Sequence, residues 1–111
     1  MITTHVIDLA AGHPARGLFV RLERETSGEW KPVGQAITDQ NGRVAAFGLD
    51  GVTTPGRYRL TFDLARYHQQ GGHRQSFFPE ATITFHVDDA NDHYHVPLLI
   101  SPFGYSTYRG S

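Results

Sequence analysis

Seven histidines in a chain of 111 residues, with no cysteine at all, put most of the reactive chemistry of this sequence on imidazole. Imidazole is the one side chain whose unperturbed pKa, about 6.5, suits proton transfer near neutrality. His93 and His95 stand two residues apart and so share one face of any strand that contains them. His5 stands near the opposite end of the chain, Arg43 follows Asn41-Gly42, and the chain closes in Tyr108-Arg109-Gly110-Ser111. Arg43 and Arg109 offer fixed-charge donor forks suited to carbonyl oxygens and to planar anionic ligands. Gathered in one place, His5, His95 and these arginines would support attack of water on an amide-like carbonyl in an electron-poor heterocycle. Each has a plainer reading as well: an interface histidine, a solvated hairpin arginine, a frayed tail. The His-x-His pair also has zinc or copper ligand spacing. No carboxylate or cysteine sits at matching strand spacing, so neither a metal nor another cofactor is expected. Ser106 and Thr107 lack the strand–turn–helix setting of an activated nucleophile. His13, His68, His73 and His86 read as surface or packing residues, and Trp30, Phe77 and Phe78 as core or interface aromatics.

To bring residues 5, 43, 95 and 109–111 together, the chain must fold them onto neighbouring elements. Alternating, β-branched stretches punctuated by glycine and proline predict strands over residues 3–9, 17–25, 30–38, 43–47, 57–64, 81–87, 93–101 and 105–109. Pro32 confines the third of these to an edge or a bulge. Asp39-Gln40-Asn41-Gly42 is the strongest hairpin signal, residues 10–14 and 48–56 read as breaks, and residues 64–70 form the only plausible helix, ended by Gly71-Gly72. Eight short strands at this spacing predict an all-β, two-sheet β-sandwich with one short helix, in a single domain over residues 1–111. Strand 93–101 is apolar on both faces: Tyr94, Val96, Leu98 and Ile100 on one, Pro97 and Leu99 beside His93 and His95 on the other. The first strand repeats this, with His5, Ile7 and Leu9 opposite Val6. A half-exposed strand should have a polar face, so these two faces predict an oligomer interface or cleft edged by imidazoles.

A formal net charge of -1 and the absence of any Lys/Arg cluster exclude nucleic acid and anionic membrane as expected partners. No apolar run approaches the roughly 18–20 residues that span a bilayer. The first residues carry neither a charged leader nor an apolar signal core, which predicts a cytoplasmic protein, or a periplasmic one if a signal peptide was removed before residue 1.

Several motifs in matching order resemble the transthyretin-like 5-hydroxyisourate hydrolases. They are Thr4-His5-Val6-Ile7-Asp8, Gly12-His13-Pro14-Ala15, Thr38-Asp39-Gln40-Asn41-Gly42-Arg43, Phe77-Phe78-Pro79-Glu80, the stretch from His93 to Pro102, and the terminal Tyr108-Arg109-Gly110-Ser111. The resemblance implies a transthyretin-like sandwich that pairs edge to edge and assembles as a homotetramer, a dimer of dimers, with active sites in the channel between dimers. It implies hydrolysis of 5-hydroxyisourate to 2-oxo-4-hydroxy-4-carboxy-5-ureidoimidazoline in urate degradation, without a cofactor. It places catalysis on His5, Arg43, His95 and Ser111, substrate binding on His5, Arg43, Tyr108, Arg109 and Gly110, and the channel lining on Ile7, Pro97 and Leu99. His93 stands beside the motif and receives no role. The alternative is a carrier of a small aromatic ligand in the same channel, for which apolar rather than histidine- and arginine-rich walls would be expected.

Overall fold

The computed structural model describes residues 1–48, 53–72 and 76–111. His73 and part of the predicted 48–56 loop lie outside the described residues. Those described form nine strands and one helix: β1 (Ile2–Asp8), β2 (His13–Pro14), β3 (Phe19–Thr26), β4 (Glu29–Ile37), β5 (Arg43–Val44), β6 (Gly56–Asp63), α1 (Leu64–Gln70), β7 (Glu80–Val87), β8 (Tyr94–Ser101) and β9 (Gly104–Thr107). They make the predicted two-sheet sandwich. One sheet runs β2-β1-β8-β9, with β5 also paired to β1; the other runs β4-β3-β6-β7. Leu22, Leu60 and Phe62 of the second sheet and Val6, Leu98 and Ile100 of the first are fully buried between them.

β1 and β8 are parallel neighbours, with Thr3 opposite His95 and His5 opposite Pro97. This pairing joins the two ends of the sequence and carries the histidines onto one sheet face. Pro32 lies on edge strand β4, where the register with β3 shifts between Leu22 and Glu23. An edge position and a bulge are the two settings that tolerate its missing N–H. The β3–β4 hairpin turns through Ser27 and Gly28, both at positive φ, as the right-handed strand twist favours.

Four sequence expectations need correction. The stretch at residues 10–14 is not only a break, because His13 and Pro14 pair with Asp8 and Ile7. The Asn41-Gly42 turn does not join two strands of one sheet. The Asp39 carboxylate accepts hydrogen bonds from the Asn41 and Arg43 amides (2.8 and 3.0 Å), and the Gly42 carbonyl accepts from Val6 N (2.8 Å). These bonds swing the chain across to the first sheet, where Arg43 pairs opposite His5. The strand starting there stops after Val44, and β9 stops at Thr107 rather than Arg109.

Asp63 caps α1, its carboxylate accepting from Arg66 N. The helix delivers Tyr67 to Asp8, which is only 3% exposed at the end of β1. The phenol donates to Asp8 Oδ2 (2.7 Å) while Ala11 N donates to Oδ1 (2.9 Å). Burial pushes the Asp8 carboxyl up, but these donors and nearby His68 outweigh it and hold the pKa below the usual aspartate value. Tyr67→Phe is therefore expected to cost about 1.5–3 kcal/mol in urea unfolding at neutral pH, the usual worth of a hydrogen bond to a charged group. Because Asp8 ionises more readily folded than unfolded, its contribution is present above the ordinary aspartate pKa and is lost as pH falls through the lowered one. The wild-type and variant stability curves should therefore approach each other in acid.

Candidate active site

Alternation along β1 sends Thr4, Val6 and Asp8 into the sandwich and leaves Thr3, His5 and Ile7 on the outer face. The parallel register sets His95, Pro97 and Leu99 of β8 beside them, and β5 adds Arg43 on the far side of His5. The result is an open cleft of about 330 Å³ lined by Thr3, Thr4, Arg43, Val44, Ala45, His93, His95 and Ser111. His5 does not line this hollow, but its ring lies within electrostatic reach of both Arg43 and His95.

The rings are held by specific contacts. The Thr3 hydroxyl lies 2.7 Å from His93 Nε2 and 2.8 Å from His95 Nδ1. The Gly110 amide donates to the His95 carbonyl (2.9 Å), pinning the C-terminal tail along β8 so that Ser111 reaches the cleft. Burial and then the Arg43 guanidinium lower the pKa of both His5 and His95; the other histidines lower that of His95 further. For His5 the Asn41 backbone and the Asp39 carboxylate push the other way without reversing the shift. Both imidazoles are therefore more fully neutral, and hence more available as bases, near pH 7 than a free histidine.

The tail splits the predicted residues between two places. Tyr108 and Arg109 line a second hollow of about 220 Å³ with Ile83, Phe85, His86, Tyr94, Val96 and Thr107, and only His95 borders both. The Arg109 guanidinium stacks 4.7 Å from the Tyr94 ring centroid. Within the single chain, His95, Arg43 and Ser111 meet in one cleft with His5 beside it, whereas Tyr108 and Arg109 face another. Of the predicted channel lining, Pro97 is buried, packed under Gly110, while Ile7 and Leu99 are half-buried on the outer face.

Sequence reasoning passed over Thr3 and gave His93 no role. Alternation would have placed Thr3 on the His5 face, but its contact with His95 depends on pairing across 92 residues. Among the described residues, no group of three or more His, Cys, Asp or Glu is placed to hold a metal ion. The cleft combines the His93 and His95 imidazoles, the Arg43 guanidinium fork and Ser111, a set suited to water activation and to stabilising a developing oxyanion.

Known proteins resemble this chain along its whole length. The model of the HIUase/Transthyretin family matches residues 2–110. The 5-hydroxyisourate hydrolase of Salmonella typhimurium is 40% identical over 111 residues, spanning 100% of this chain and 81% of that protein. The solved structure of Klebsiella pneumoniae 5-hydroxyisourate hydrolase superposes with a TM-score of 0.86 at 37% identity, covering 99% of this chain and 98% of that one. Sea bream transthyretin in complex with thyroxine superposes with a TM-score of 0.91 at 26% identity, covering 98% and 93%.

Proposed function

This chain belongs to the HIUase/Transthyretin family, and from that premise we propose that it is an enzyme that hydrolyses 5-hydroxyisourate in urate degradation. The observation that carries this reading is the cleft itself, where His95, Arg43 and the terminal Ser111 line one opening with His5 at its side. In the proposed mechanism His95 and His5 position and deprotonate a water, which attacks a ring carbonyl of the substrate. Arg43 stabilises the oxyanion, the ring C–N bond breaks, and the product is the carboxylate 2-oxo-4-hydroxy-4-carboxy-5-ureidoimidazoline. No covalent intermediate forms on the enzyme. Ser111 holds the water or an imidazole.

The same reading makes the protein a homotetramer, a dimer of dimers, with Ile7, Pro97 and Leu99 along the channel between dimers. Leu9, 59% exposed, and half-buried Ile7 and Leu99 on the outer face support it. In that assembly Tyr108, Arg109 and Gly110 contribute to binding the planar substrate.

The close superposition on a thyroxine-bound transthyretin favours a second reading, a carrier of a small aromatic ligand. The polar lining of the cleft weighs against it, because such ligand pockets are lined mainly by apolar groups.

The test is a coupled ultraviolet assay. Urate oxidase generates 5-hydroxyisourate in situ, and its decay is followed in excess chelator with wild type and Arg43→Met between about pH 5 and 8, the range in which imidazole titrates. Wild type should accelerate decay well beyond the spontaneous rate. Arg43→Met should lose about 10²–10³-fold in kcat, the usual cost of removing an oxyanion donor. Arg43 disfavours the imidazolium, so its removal should also move the acid limb of the profile to higher pH. A folded wild type without any acceleration would put the carrier reading first.

A further inference from the structure

We infer that Thr3 and His93, which lie outside the predicted catalytic set, form a proton relay behind His95 through the single hydroxyl that bridges the two rings. This inference rests on the hydrolase reading for its purpose but on contacts within the chain for its structure. Thr3 is 8% exposed, and its hydroxyl stands at hydrogen-bonding distance from His93 Nε2 and His95 Nδ1. It follows Ile2 on β1 and precedes Thr4, whose hydroxyl turns inward to donate to the Val96 carbonyl (2.6 Å). Two adjacent threonines thus serve opposite faces of one strand. The β-branched side chain has few rotamers, which keeps the Thr3 oxygen between the rings.

A hydroxyl carries one proton. If it donates to one ring nitrogen, the other ring must donate to it. In the productive arrangement His95 Nδ1–H donates to Thr3 Oγ1, and Thr3 O–H donates to His93 Nε2. Neutral His95 then carries its lone pair on Nε2, the nitrogen for which the described residues supply no hydrogen-bond partner. The tautomer needed of a general base is thereby selected by Thr3, as the partner of one ring nitrogen selects the state of the other.

Ring opening consumes one water. Its oxygen enters the new carboxyl group, one of its protons ends on the leaving nitrogen, and the other is released, because a carboxylic acid ionises at neutral pH. The released proton leaves along the same three groups. His95 Nε2 takes a proton as the water O–H bond breaks. The Nδ1 proton passes to Thr3 Oγ1, the Thr3 hydroxyl proton passes to His93 Nε2, and exposed His93 gives its Nδ1 proton to solvent. Only one positive charge is present among the rings at any stage, which suits a site already holding the Arg43 guanidinium. Thr3 and His93 act through His95 and are positioning residues.

The experiment combines kinetics with histidine ring ¹⁵N spectra of the substrate-free protein. In wild type, His95 should show one tautomer, protonated at Nδ1; in Thr3→Val it should become a mixture. Thr3→Val should lower kcat by roughly tenfold to a hundredfold, the range seen when a partner orienting a metal-bound imidazole is lost, with KM little changed. Thr3→Ser should recover most of that rate. Thr3→Val combined with His93→Phe should be no slower than Thr3→Val alone, since both interrupt one path. A wild-type rate in Thr3→Val, a Thr3→Ser as slow as Thr3→Val, or additive losses in the double variant would each overturn the relay. If wild type fails to hydrolyse 5-hydroxyisourate, the functional reading falls, while the ring spectra still decide whether Thr3 sets the tautomer.

Discussion

His95→Ala is expected to slow 5-hydroxyisourate turnover by about 10²–10⁴-fold, the usual contribution of a general base, and to leave the fold and its stability nearly unchanged. The second half of that expectation follows from where the residue sits. His95 is half-buried on the outer face of β8, away from the packed residues Tyr94, Val96 and Leu98 that alternate with it. Its backbone makes the ladder contacts: Gly110 N donates to its carbonyl, and its Cα pairs with Thr3 across the parallel register. Alanine preserves both. The substitution removes an imidazole whose pKa burial and Arg43 lower, and no Asp, Glu or Cys is among the cleft's lining residues to replace it. His5→Ala provides the comparison. If His95 is the base and His5 orients the water, the His95 variant should lose more kcat and should be partly rescued by added imidazole. The measurements are kcat and KM by the coupled assay and the melting temperature of each variant. A His95→Ala enzyme that keeps its kcat would transfer the base role to His5.

What could be read from the sequence followed from local patterns. Alternating and β-branched stretches marked the long strands, Gly71-Gly72 ended the predicted helix, and the doubly apolar strands at residues 3–9 and 93–101 singled out the outer face where the cleft lies. What could not be read depended on pairing between distant residues. Nothing near Asn41-Gly42 reveals that Gly42 O will accept from Val6 N, 36 positions away, so a strong turn signal implied the wrong partner strand. His13 and Pro14 form a strand only because Asp8 and Ile7 lie alongside them. Thr3 looks like an ordinary β-former until the parallel register places it under His95. Arg109 and Ser111 are two residues apart and would share a face in a continued strand. In the structure they line different hollows, because β9 ends at Thr107 and the tail continues as a single bridge at Gly110.

That bridge makes Gly110 a position where a single added methyl group should disturb the cleft directly. A Cβ there would stand 2.5 Å from His95 Cδ2 and 3.2 Å from both His95 Cγ and Pro97 Cγ. The first distance is shorter than non-bonded carbons tolerate, so something must move. The His95 ring has little freedom, since Nδ1 is held by Thr3, and Pro97 is buried beneath it. Either the ring turns out of its hydrogen bond or the tail lifts from β8 and takes Ser111 out of the cleft. Both displace a group that must meet the attacking water, and misplacement by about 1 Å can cost about 10²-fold. Gly110→Ala is therefore expected to lose about 10²-fold in kcat/KM. Its stability should change by no more than about 0.5 kcal/mol, as for a substitution outside the core. Gly104→Ala is the control: a Cβ there meets only Ser101 Oγ, at 3.8 Å, an ordinary contact, and near wild-type kinetics are expected. Ring ¹⁵N shifts would separate the two modes of failure, because a displaced ring alters the His95 signals while a lifted tail leaves them bound to Thr3. Wild-type kinetics in Gly110→Ala would mean that the tail yields at no cost and that Ser111 has no part in the chemistry.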